Sequence, residues 1–269
     1  MIDFRLITES TDKYNFHSHT QFCDGHASMA TMVDAALAAG FRHWGFSPHS
    51  PICVESPCNM KPADVSSYLD EVNRLRKING SAISLYAGME IDYLSPDWGP
   101  AIKYFQEIPL DYRIGSVHFV RSKDGEDVDI DGNFESFRKK MDRHFRNDIR
   151  YVVDRFFDNS LEMVSRGGFD IIGHFDKIGH NASLYQPGIE EEPWYESRVC
   201  ELIDAIAAAG IYAEINTKAR SKHNRFFPST VYWQRIIDAG IPILVNSDAH
   251  HPDLTDQSRP EAFEILSKL

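Results

Sequence analysis

Short apolar runs alternate along the chain with longer stretches whose apolar residues recur every three or four positions. That is the pattern of buried strands alternating with amphipathic helices. Strands are expected at residues 14–16, 41–46, 82–90, 112–119, 170–173, 211–215 and 242–245. Helices are expected at residues 29–39, 62–77, 98–106, 134–165, 194–209 and 229–239, and a last one opens near Arg259. The punctuation agrees. Ser28 stands where an N-cap belongs, and Gly40, Gly210 and Gly240 follow the apolar faces of their helices, where a left-handed residue ends a helix. Residues 124–133 are acidic and contain glycine, and read as an exposed excursion.

Seven strand–helix units with apolar strands suit a parallel sheet covered by helices. No Gly-rich dinucleotide or phosphate loop follows the early strands, which weighs against an open nucleotide-binding sheet and favours a closed or nearly closed barrel. No spacer rich in Gly, Ser or Pro divides the 269 residues, so residues 1–269 read as one domain.

Forty acidic against 28 basic side chains leave a net charge of −12. Such a balance argues against a general nucleic-acid surface. An anionic substrate stays open, because bound divalent cations reverse the sign of a local field. The opening MIDFRLITES has no signal-peptide core, and no apolar run approaches the ~20 residues of a membrane span. A cytoplasmic protein without membrane partners is expected. Cys23, Cys53, Cys58 and Cys200 are too irregular for a disulfide scaffold and read as reduced thiols.

The 12 histidines change the picture through where they fall. The first strand runs into His17-Ser18-His19, whose alternate side chains share one side of an extended chain. His49 follows the second strand, Glu90 ends the third, His118 the fourth, His174 the fifth, and Asp248 and His250 follow the seventh. A potential metal ligand therefore stands at the C-terminal end of six of the seven strands, and the sixth runs into Glu214-Ile215-Asn216. In parallel barrels that rim is where active sites are assembled. Unpaired imidazoles and carboxylates gathered there would suffer desolvation and repulsion, which cations relieve. His17, His19, His49, Glu90, His118, His174, Asp248 and His250, with His26 as a ninth, suffice for two or three ions. A nitrogen and oxygen donor set without thiolate suits zinc, iron or manganese. His43, His144, His180, His223 and His251 read as ordinary core or surface histidines.

These motifs, with Ser47-Pro48-His49, Gly88-Met89-Glu90, Gly115-Ser116-Val117-His118-Phe119, Ile172-Gly173-His174, Glu214-Ile215-Asn216-Thr217 and Asn246-Ser247-Asp248-Ala249-His250, resemble the polymerase-and-histidinol-phosphatase (PHP) family of metal-dependent phosphoesterases. The similarity is greatest to its monofunctional histidinol-phosphatase branch. It implies a distorted seven-stranded (β/α)7 barrel of TIM-like type with a trinuclear centre. By that resemblance His17, His19, Glu90 and Asp248 hold a first ion; Glu90 bridges to a second, completed by His118 and His174; His26, His49 and His250 hold a third. The implied reaction is hydrolysis of L-histidinol phosphate to L-histidinol and phosphate in histidine biosynthesis, with a hydroxide between two cations as nucleophile. Arg220 is expected to grip the phosphate, with Arg225 in reserve, and Asp248 or a coordinated water to protonate the leaving alkoxide. Glu126, Asp127, Asp129 and Asp131 offer charge for an amine. The competing readings are a family member acting on another phosphate ester or on nucleic acid, an amidohydrolase, and a non-catalytic metal-binding protein.

Overall fold

The computed structural model describes residues 2–269. Its strands in chain order are β1 (Tyr14–Asn15), β2 (His43–Phe46), β3 (Ser84–Ala87), β4 (Glu90–Asp92), β5 (Ile114–Ser116), β6 (Phe119–Arg121), β7 (Asp127–Asp129), β8 (Ile171–Ile172), β9 (Tyr212–Asn216) and β10 (Ile243–Asn246). Two all-parallel sheets carry the architecture, one in the order β1–β2–β3 and one in the order β10–β9–β8–β5–β4. Single parallel bridges join them, His49 to Glu90 at one junction and Ser18 to Ala249 at the other. The fold is thus an α/β arrangement of parallel strands with helices between them. Among the described residues no helix is long and apolar enough to cross a membrane.

The run expected as one strand over residues 82–90 breaks between β3 and β4. Gly88 lies at the break, and a Cβ there would sit 2.2 Å from the Tyr112 ring. The Tyr112 ring fills that space, and its hydroxyl donates to the carbonyl of Phe16 at 2.6 Å. A bend without side chain lets β3 pair with β2 while β4 pairs with β5. The run at 112–119 also divides: β5 stays in the sheet, and β6 turns out into an antiparallel hairpin with β7. The excursion expected at 124–133 therefore contains a strand.

The helical stretch expected over 134–165 consists of two helices, Phe134–Phe145 and Ile149–Arg166. Arg146 and Asn147 lie between them in the left-handed region, at φ 53° and 60°, and Asp148 caps the second helix by accepting from the Tyr151 N–H. Apolar periodicity passes through the break, from Phe137, Met141 and Phe145 to Val152, Phe156 and Phe157, so hydrophobic pattern alone does not reveal it. Three α-helices fall outside the expected set, Phe4–Ser10, Ile178–Tyr185 and the short Arg220–His223. The first sends Phe4 and Ile7 into a cluster with Tyr14, Phe16, Tyr112, Ile114, Ile171 and Leu244. That cluster draws on strands from both sheets and lies away from the ends that carry the histidines.

The chain termini are tied together by Arg259, which is 1% exposed. Its guanidinium donates to the carbonyls of Asp12 at 2.9 Å, Val245 at 3.1 Å and Tyr14, and to Asp256 at 2.8 Å. The Phe41, Tyr14 and Phe263 rings enclose it. Hydrogen bonds from a charged donor are worth about 1.5–3 kcal/mol each, enough to hold β1 beside β10.

Candidate metal centre

Each parallel strand ends in a turn that lifts one or two polar side chains into a common mouth. Glu90, the first residue of β4, is 1% exposed, and its two oxygens face different partners. Oε2 lies 3.2 Å from His17 Nε2, 3.5 Å from His19 Nε2 and 3.1 Å from His49 Nδ1. Oε1 lies 2.9 Å from His174 Nε2 and 3.4 Å from His118 Nε2. Asp248 completes the first group, with Oδ1 3.1 Å from His19 Nε2 and 3.7 Å from His17 Nε2. Asp248 sits at φ 49°, a left-handed conformation unusual for a residue with a side chain and typical of strain kept at functional sites.

Three ligand-type groups result: His17, His19 and Glu90; Glu90, His118 and His174; and His19, Asp24, His49 and His250. Two further overlapping sets are His17, His174 and Asp248, and His49, Asp92 and His118. His17 Nε2, His19 Nε2, Glu90 Oε2 and Asp24 Oδ1 are buried and have no hydrogen-bond partner. Buried polar atoms without partners are costly, and here they point at one another. A nitrogen and oxygen donor set of this kind fits divalent cations.

The electrostatics carry the same mark. Burial pushes His17 down, but the carboxylates of Glu214, Asp248 and Glu90 outweigh it and raise it well above 6.5. His118 is likewise opposed by burial and raised to about 9 by Asp92 and Glu90. Burial and the neighbouring His250 and His49 hold His19 well below 6.5, and burial with Lys177 takes His174 down to about 4. Burial raises Glu90, yet the surrounding imidazoles hold it well below the usual carboxylate range. Adjacent rings pushed in opposite directions mark a cluster that protons alone satisfy poorly.

Two sequence expectations are corrected. His26 is exposed and belongs to none of these groups. The loop before it turns back tightly: Gly25 packs so closely that a Cβ would lie 2.2 Å from the Thr20 nitrogen. The turn brings Asp24 into the mouth, 3.4 Å from His250 Nε2 and 3.5 Å from His19 Nδ1, and leaves only the His26 backbone in contact, donating to His250 O. The pairing of an acidic residue with a glycine in Asp24-Gly25 was the available signal. Arg220 does not reach the mouth; it binds Glu261 and Asn224. Nor does Arg225, which pairs with Glu190 at 2.7 Å and Asp176 at 3.1 Å.

The cations in the mouth are lysines. Lys177 pairs with Asp131 at 2.7 Å, and Lys218 Nζ lies 3.4 Å from Asp248 Oδ1 and 3.2 Å from His250 Nε2. Both line a cavity of about 310 Å³ with His118, His174, Asp248 and Asp131. Asp131 comes from the segment after β7, so one acidic residue of the excursion anchors a lysine, while Asp127 pairs with Arg121 and Asp129 with Lys140. Lys218 follows Asn216-Thr217 directly, two positions before Arg220, and local spacing does not distinguish the two cations.

Residues 15–218 match the PHP domain family, and the chain belongs to that family, in its histidinol-phosphatase branch. It is 28% identical over 255 residues to a Schizosaccharomyces pombe protein named "Probable histidinol-phosphatase", with 88% of this chain and 80% of that one covered. It is 25% identical over 260 residues to the histidinol-phosphatase of Bacillus subtilis, covering 88% and 93%. The crystal structure of a Lactococcus lactis histidinol phosphate phosphatase in complex with zinc, L-histidinol and phosphate shares the fold, at a TM-score of 0.74 and 19% identity, over 95% of this chain and 93% of that one.

Proposed function

We propose that this chain is a metal-dependent phosphomonoesterase that hydrolyses L-histidinol phosphate to L-histidinol and phosphate, in a single distorted seven-unit barrel. The observation that carries the reading is Glu90, whose two oxygens divide between His17, His19 and His49 on one side and His118 and His174 on the other. A carboxylate so shared suits a bridge between two ions. His17, His19, Glu90 and Asp248 would hold one, Glu90, His118 and His174 a second, and Asp24, His49 and His250 a third. Bound cations of zinc, iron or manganese type supply Lewis acidity, which acidifies water and offsets the charge of a phosphate ester.

The protein's own groups do the rest. Lys177 and Lys218 supply point charges for the non-bridging phosphate oxygens. Burial lowers Lys177, but Asp131, Asp248 and Glu90 outweigh it and raise it above its ordinary value, so it stays charged. Burial raises Asp248, but Lys218 and His17 overcome it and hold it well below the usual carboxylate range. An ionised Asp248 serves as a ligand and carries no proton to the leaving alkoxide. Lys218 Nζ stands beside it, 3.4 Å from Oδ1.

The test is phosphate release by metal-loaded protein from L-histidinol phosphate beside a panel of sugar and nucleotide monophosphates. Preference for histidinol phosphate supports the reading. Release from the other esters alone would leave phosphoesterase chemistry and overturn the substrate.

A further inference from the structure

Glu214 is fully buried at the centre of β9 and belongs to none of the ligand-type groups. Both of its oxygens are occupied by donors. Oε1 accepts from His17 Nδ1 at 2.7 Å and from Asn246 Nδ2 at 3.0 Å. Oε2 accepts from the His174 backbone N–H at 3.0 Å and from Asn216 Nδ2 at 3.1 Å. The Asn216 amide also donates to Asp248 Oδ2 at 3.0 Å. One side chain therefore touches, directly or through one amide, His17, His174 and Asp248.

Nor can the donors turn round. Asn246 Oδ1 accepts from the Phe16 N–H at 2.8 Å, and Asn216 Oδ1 from the Lys218 N–H at 3.1 Å, so each amide is fixed with its NH₂ toward Glu214. The His174 N–H has no alternative orientation. With Nδ1 of His17 donating, Nε2 is the nitrogen left facing Glu90 and Asp248.

We infer that Glu214 is the positioning residue of the centre: an ionised carboxylate that fixes the His17 ring and the His174 backbone together and takes no cation itself. The inference rests on the metal reading above. Only a carboxylate satisfies four converging donors with two oxygens. A glutamine there places its NH₂ against either His17 and Asn246 or His174 and Asn216, whichever way it is turned. Groups that orient metal-binding imidazoles typically contribute 10–100-fold to metal affinity.

The experiment is titration of metal-free protein with zinc alone, against a competing chelator, for the wild type, Glu214→Gln and Asn216→Ala. Proton NMR of the zinc-loaded forms follows the His17 Nδ1 proton. E214Q is expected to lose about 10–100-fold in zinc affinity, with the downfield proton of the His17–Glu214 bond lost or moved upfield and the melting of the metal-free protein cooperative. N216A, which keeps three of the four donors, should show a smaller loss in the same direction, and it decides the matter if E214Q fails to fold. An E214Q protein that keeps zinc affinity within about threefold, against that 10–100-fold expectation, and keeps the downfield proton overturns the inference alone. The same holds for an N216A protein indistinguishable from wild type when E214Q does not fold. A wild type that takes up no zinc overturns both this and the metal reading.

Discussion

The Nδ1 nitrogen of His118 lies 2.6 Å from Oδ1 of Asp92, two residues beyond Glu90 on the same short strand. Thus β4 supplies both the carboxylate between the two histidine groups and the carboxylate that orients one of those histidines. Asn59 Nδ2 donates to the other Asp92 oxygen at 3.0 Å, which stops the carboxylate from rotating.

Replacing Asp92 by Asn should therefore weaken metal binding at the His118 and His174 side by about 10–100-fold. Glu90→Gln should cost more, since it touches both groups at once. Metal content after gel filtration and phosphate release at saturating metal check the pair. The ranking fails if E90Q retains more metal than D92N.

Chelation should destabilise the fold. Metal that binds only the native state at a thousandfold excess over Kd adds about 4.1 kcal/mol. For a chain of this size that corresponds to roughly 8–16 °C in Tm. Calorimetry with and without chelator measures it. An unchanged Tm would mean that the buried donors are satisfied without cations.

Lys177→Met and Lys218→Met should each raise KM and lower kcat for a phosphomonoester by about tenfold or more, since a charged partner contributes about 1.5–3 kcal/mol. Arg220→Ala, whose guanidinium is engaged by Glu261, should change neither by more than about twofold, the scale of a surface ion pair. Steady-state kinetics on the three variants reads the difference. Reversal of the order would return the phosphate role to the arginine.

His43, remote from the mouth, sets an acid limit of its own. Burial and the neighbouring Arg42 lower it from 6.5, and its Nδ1 lies 2.9 Å from the Tyr86 hydroxyl. The folded state thus prefers the neutral ring. As pH falls below 6.5, the unfolded chain takes up the proton first, so this contribution to stability declines until the folded-state value is passed. Above 6.5 it is constant. Urea unfolding of metal-loaded wild type and His43→Gln across pH 5–8 should show the wild type losing its margin only on the acid side.

Much of this is legible in the amino-acid sequence. Seven strand positions and the ligand-type residues His17, His19, His49, Glu90, His118, His174, Asp248 and His250 all follow from apolar runs ending in donors, and all eight meet in one place. What escaped depends on tertiary contact. The bend at Gly88 exists because Tyr112 needs the space, and the helix break at Arg146 and Asn147 interrupts backbone but not hydrophobic pattern. Asp24 replaces His26 because of a tight turn whose direction no local spacing specifies. Lys218 and Arg220 are two residues apart, and only their partners, Asp248 for one and Glu261 for the other, tell them apart. Glu214 stands in the sequence only as part of the motif after the sixth strand, and its four donors identify it as a support.

Arg259 has a consequence for the order of events during synthesis. It clasps the segment before His17 to the segment before Asp248, so the clasp cannot close until the helix that opens at Arg259 has left the ribosome. Contacts of such long sequence separation form late and slowly. A nascent chain stalled before residue 259 would carry every one of these ligand-type residues and still offer cations no finished pocket.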